Sequence, residues 1–95
     1  MNTTPPADPS ALPELAIAVL DRGFVYVGGI RVMDGFVVIT QARNVHKWGT
    51  NRGLGQLARE GPQKDTVLNP SPDVFVPLHA LIHLIACVPE KWPLS

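Results

Sequence analysis

Apolar positions along the chain fall into short runs, separated by proline, glycine, aspartate and asparagine. The first run, Leu15-Ala16-Ile17-Ala18-Val19-Leu20, is bounded by Pro13 and by Asp21-Arg22-Gly23. Leu12, Leu15, Ala16 and Val19 fit helical spacing, with Ser10 as a possible N-cap. A short apolar run ending at a turn fits a buried strand equally well. A strand over residues 14–20 is expected, because the next two segments are strands and need a partner.

Those two segments carry the clearest signal. Phe24-Val25-Tyr26-Val27 is β-branched and aromatic and continues through Gly28-Gly29 to Ile30-Arg31-Val32. The glycine pair suits a bulge or sharp bend. Asp34-Gly35 predicts a tight hairpin turn into Phe36-Val37-Val38-Ile39-Thr40, so residues 24–45 read as one hairpin. Farther on, Thr50 or Asn51 is placed to cap a short helix running to about Glu60 and closed by Gly61-Pro62. Gly53 and Gly55 weaken that helix by about 1 kcal/mol each relative to alanine. Asn69-Pro70-Ser71-Pro72-Asp73 reads as a loop and Val74-Phe75-Val76 as a short strand. Residues 80–88 fit a strand or a short helix, and Val88-Pro89 ends them either way. The expected fold is mostly β: a small five-stranded barrel, SH3-like or Sm-like, with one short helix between strands 3 and 4.

Composition sharpens this picture. Ninety-five residues suit one domain, over residues 14–92, with a flexible proline-rich tail at 1–13 and a short end at 93–95. The single cysteine, Cys87, can form no internal disulfide. Together with the lack of a signal-like N-terminus or a long apolar run, this points to the cytoplasm. Charged residues are 17% of the chain and the formal net charge is zero. That is fewer charges than the roughly 25% of typical domains, which favours association into a homo-oligomer.

The charges are unevenly placed. Between residues 43 and 64 stand Arg43, Lys47, Arg52, Arg59 and Lys64 against the single acid Glu60. Within that stretch, Arg43, His46, Lys47, Trp48, Thr50, Asn51, Arg52 and Gly53 form the candidate ligand-binding set. Glycines let a ligand approach the backbone, a helix start offers unpaired N–H groups, and cations hold phosphates. Trp48 offers a face on which a base could stack. The stretch lacks the Gly-Lys-Ser/Thr ending of a P-loop, and no strand–turn–helix unit makes it a dinucleotide fingerprint. The competing reading is a solvated, capped surface helix with Trp48 in the core.

Other chemistry is weaker. His79, His83 and Cys87 are spaced by four, but without an acid to orient an imidazole they read as partly buried histidines beside a buried thiol. The apolar run around Cys87 makes that thiol inert. Carboxylates are scattered and serines sit near the ends or between prolines. No catalytic residue, metal or cofactor is therefore expected.

The segments Gln41-Ala42-Arg43-Asn44-Val45-His46-Lys47-Trp48, Leu57-Ala58-Arg59-Glu60-Gly61 and Ala80 to Cys87 resemble a family of short uncharacterised proteins of tailed bacteriophages and prophages. The resemblance covers roughly residues 15–92 and rests on Ala42, Arg43, Trp48, Leu57, Ala58, Gly61 and Cys87. Between Gly49 and Gly55 the chain departs from the family pattern. What the resemblance implies is context: small phage accessory proteins commonly act against host defence, in the host cytoplasm. The reading that follows is a non-enzymatic homo-oligomer that sequesters a nucleotide-type immune signal in basic pockets. The alternatives are a protein-binding inhibitor of a host defence system, similar to anti-CRISPRs, and an Sm-like nucleic-acid-binding module.

Overall fold

A computed structural model describes residues 12–92; most of the expected tail and the expected end at 93–95 lie outside the described residues. Six strands form one antiparallel sheet: β1 (Leu15–Leu20), β2 (Val25–Met33), β3 (Phe36–Lys47), β4 (Val67–Pro70), β5 (Val74–Pro77) and β6 (Leu81–Ala86). One helix, α1 (Gly53–Glu60), stands between β3 and β4, and a 3-10 turn (Leu78–Ala80) joins β5 to β6. The sheet order is β4-β3-β2-β1-β6, and β5 pairs with the first half of β3.

The long hairpin follows from its turn. Asp34 and Gly35 both have positive φ, +47° and +82°, the two-residue geometry that matches strand twist. In the middle of the hairpin the register slips, so that Gln41 and Ala42 oppose Gly28 alone. Gln41 adopts φ +51°, and its N–H donates to the Asp73 carboxylate at 3.1 Å. A Cβ on Gly28 would stand 2.6 Å from the Thr40 carbonyl, so the bend requires glycine there. The extra residue also flips the side-chain alternation of β3. Before it, Val37 and Ile39 face one core cluster with Ala42; after it, Val45 faces the other.

Both faces of the sheet are thereby used. Ala16, Ile17 and Ala18 are all 0% exposed, so β1 is covered on both sides. Ala18, Leu20, Val37, Ile39, Ala42 and Val76 pack on the face the bent strands enclose. Ile17, Val25, Val27 and Val45 pack on the opposite face beneath Leu57 and Ala58 of α1, with Cys87 and Trp92. Trp92 donates its indole N–H to the Ala58 carbonyl at 3.1 Å, which ties the chain after β6 to the helix.

Three expectations need correction. The sheet has six strands, not five, because β3 runs on past its bend and Val67–Pro70 pairs with that extension. Asn69 and Pro70 therefore belong to a strand and not to the loop. Neither Thr50 nor Asn51 caps α1: the N-cap position is Arg52, with no side-chain cap, and Gly53 opens the helix at φ +81°. The run at 14–20 is a strand as expected, and the ambiguous segment after Ala80 is the strand β6.

Candidate anion-binding surface

The cationic stretch occupies the end of β3 and the loop into α1. His46, Lys47 and Trp48 emerge exposed where β3 leaves the sheet, and a second bulge, between Val45 and Lys47 against β4, turns the chain there. Trp48 is 42% exposed, whereas Trp92 is 4% exposed and holds the core position. An indole left half in water is not needed for packing, so it is available to a ligand.

The backbone under Trp48 is fixed although its ring is not packed away. Its carbonyl accepts from the Thr66 hydroxyl at 2.7 Å, and Thr66 in turn accepts from the Gln63 N–H at 2.8 Å. Gly49, at φ +69°, lies directly against the Asp65–Thr66 peptide, where no Cβ would fit. The next turn is fixed by its own polar atoms. The Thr50 hydroxyl donates to the Gly53 carbonyl at 2.8 Å, and the Arg52 N–H donates to Gln56 Oε1 at 2.8 Å. Gln56 Nε2 continues to Glu60 Oε1 at 3.1 Å. Gln56 thus reaches back to the start of the helix in place of the missing cap.

The candidate residues divide into two groups. His46, Lys47, Trp48, Asn51 and Arg52 are exposed around the loop, with Thr50 and Gly53 half-buried beneath them. Arg43 is half-buried in mid-strand, paired with Val27 of β2 and Pro70 of β4. It stands four residues before Lys47, about 13 Å along β3. By alternation it shares the side of Val45. Exposed Asp65 is the nearest acid in the loop that packs on Gly49. The supporting roles of Gln56 and Thr66 have no signal in their local sequences, since each depends on a turn whose geometry only folding reveals.

The remaining polar groups do not assemble. His79, on the 3-10 turn, and His83, on the edge strand β6, are exposed, contrary to the expectation that they are partly buried. No group of three metal-ligating side chains occurs among the described residues. Burial pushes the Cys87 thiol up to about 12, against a smaller opposing hydrogen bond from the Ile17 backbone. No described helix is long and apolar enough to cross a membrane.

No protein-family model matches the chain, no curated protein matches its sequence, and no solved structure matches its fold.

Proposed function

We propose that this protein is a non-catalytic binding module that captures a nucleotide-type anion on the surface around Trp48. The observation that carries this reading is the half-exposed indole on a hydrogen-bonded backbone, with exposed Lys47 preceding it and exposed Arg52 in the same loop. A base stacks on the ring, which is worth about 1–3 kcal/mol. Lys47 and Arg52 meet phosphate oxygens, Arg52 through two parallel donors. His46, Thr50 and Asn51 add polar contacts, Gly53 leaves the backbone open to approach, and Arg43 supplies a more distant cation along β3.

The fold supports the same reading. A strongly bent antiparallel sheet, with β5 on β3 and β6 on β1, is what a small SH3-like or Sm-like barrel is built from. Modules of that size bind through the loops and edges at one end of the barrel. The open surface around Trp48 encloses a ligand when copies assemble, so the functional unit is a homo-oligomer. The resemblance to short phage proteins makes the ligand an immune-signalling nucleotide that the oligomer sequesters.

Titration of the purified protein with cyclic dinucleotides, cyclic oligonucleotides and ADP-ribose derivatives tests this. Binding of at least one of them tighter than about 100 µM is expected, weakened about 5- to 150-fold by Trp48→Ala, the range set by the stacking energy. No binding by any of these compounds removes the nucleotide reading and leaves the protein-binding inhibitor.

A further inference from the structure

A concave apolar surface lies where the end of β1, the turn after it and β5 come together. Leu20 and Val76, both buried, form its floor, and Phe24, Tyr26 and Phe75 line it with them. The groove is open and has a volume of about 240 Å³. Among the described residues, Asp21 is the charged one that lines it, and it is exposed. Phe24 is 54% exposed and Phe75 58%, so both rings remain available to a ligand although a packed floor lies beside them.

Local structure brings these groups together. The Leu20 N–H donates to the Phe24 carbonyl at 2.8 Å across the 3-10 turn Asp21–Gly23. Arg22 and Gly23 take positive φ in that turn, +66° and +83°, and the tight reversal keeps Asp21 close to Phe24. Tyr26 follows on β2, opposite Ala18 of β1. β5 supplies the remaining wall, with Phe75 paired to Val38 of β3.

The chemistry of the lining selects a cation. Aromatic faces carry the negative part of the ring quadrupole and the Asp21 carboxylate a full negative charge, so both attract positive charge. A fully methylated ammonium has no N–H to give the carboxylate, and a lysine ammonium is compact and strongly hydrated. A guanidinium is planar, more weakly hydrated, stacks on rings and presents several donors to a carboxylate. The volume is below the roughly 300–1,000 Å³ of pockets that enclose a whole small molecule, so the groove seats one side chain. Leu78 is exposed in the turn between the lining residues Pro77 and Ala80, and adds apolar surface for the chain that carries that side chain. We infer that the groove takes an arginine side chain of a partner protein, its guanidinium lying on the rings of Phe24 and Phe75 and donating to Asp21. This goes beyond the nucleotide reading and shares no residue with it.

Titration of the ¹⁵N-labelled full chain with three capped tripeptides tests it, the central residue being arginine, lysine or citrulline between two alanines. Citrulline has nearly the shape of arginine without its charge. The arginine peptide should shift the amide signals of Asp21, Phe24 and Phe75 saturably, and the citrulline peptide should bind about 2- to 30-fold more weakly, the range of a cation–π contact. The lysine peptide should also bind more weakly than arginine. Asp21→Asn should weaken the arginine peptide about 2- to 5-fold and leave the citrulline peptide unchanged. Phe75→Leu should weaken the arginine peptide more than the citrulline peptide, and where that variant fails to fold, the exposed-turn variant Asp21→Asn still decides. Equal binding of arginine and citrulline makes the groove a plain apolar contact and overturns the inference. So does a lysine or trimethyl-lysine peptide that binds more tightly than arginine, shifts confined to residues outside the groove, or an Asp21→Asn variant that binds arginine as the wild type does. No nucleotide is present in the titration, so either proposal can fail alone.

Discussion

Two glycines six residues apart should respond to alanine with opposite signs. Gly49 sits at φ +69°, and a Cβ there would collide with the Asp65 carbonyl carbon and the Thr66 amide nitrogen, both backbone atoms. The left-handed conformation alone costs a residue with a Cβ about 1–2 kcal/mol, and moving the 65–66 peptide adds to it. Gly49→Ala should therefore lose at least ~2 kcal/mol, which for a domain of this size lowers Tm by about 8–16 °C. The same shift breaks the bond from Thr66 to the Trp48 carbonyl, so ligand affinity should fall with stability. Gly55 lies inside α1 with open space around its Cβ position and no left-handed φ. Gly55→Ala should gain about 0.5–1 kcal/mol by reducing the freedom of the unfolded chain. Urea or thermal unfolding followed by circular dichroism reads both. Gly49→Ala as stable as the wild type would refute the pinned loop on which the site rests, and a destabilising Gly55→Ala would refute the helix placement.

Trp92→Phe keeps most of the apolar volume but removes the indole bond to the Ala58 carbonyl, which still accepts from the Val88 N–H, so unfolding experiments should show a loss of about 0.5–1.5 kcal/mol. Cys87, with its pKa raised from 9.0 to about 12, should resist thiol reagents at pH 8 in the folded protein and react once urea unfolds it. The same shift fixes the sign of a pH effect: the folded state favours the protonated thiol, so its contribution is complete below pH 9 and is lost as pH rises from about 9 toward 12. Cys87→Ala should flatten that part of the stability profile.

The hairpin was legible because Asp34-Gly35 can hardly be anything but a tight turn, and because alternating Val and Ile residues flank it. Gly28-Gly29 announced a bend, but not that Gln41 would supply the extra residue opposite. That flip sends Val45 to the face opposite Ala42, and no periodicity in β3 shows it. The apolar run of β1 fitted two periods because a strand buried on both faces has no alternation to display. β4 was hidden by its brevity and its closing Pro70, which an edge position tolerates. The two tryptophans illustrate the limit for the site. Nothing in their local sequences tells which enters the core; the decision falls to Trp92 because the chain after β6 returns beneath α1, within reach of the Ala58 carbonyl.

The indole N–H resonances of Trp48 and Trp92 in the ¹⁵N-labelled full chain offer the most direct test of a ligand surface at the β3–α1 loop. On addition of a bound nucleotide, the Trp48 signal should shift or broaden while the Trp92 signal stays in place. A Trp48 signal unmoved by any nucleotide of the panel, or a perturbation confined to Trp92, would contradict it.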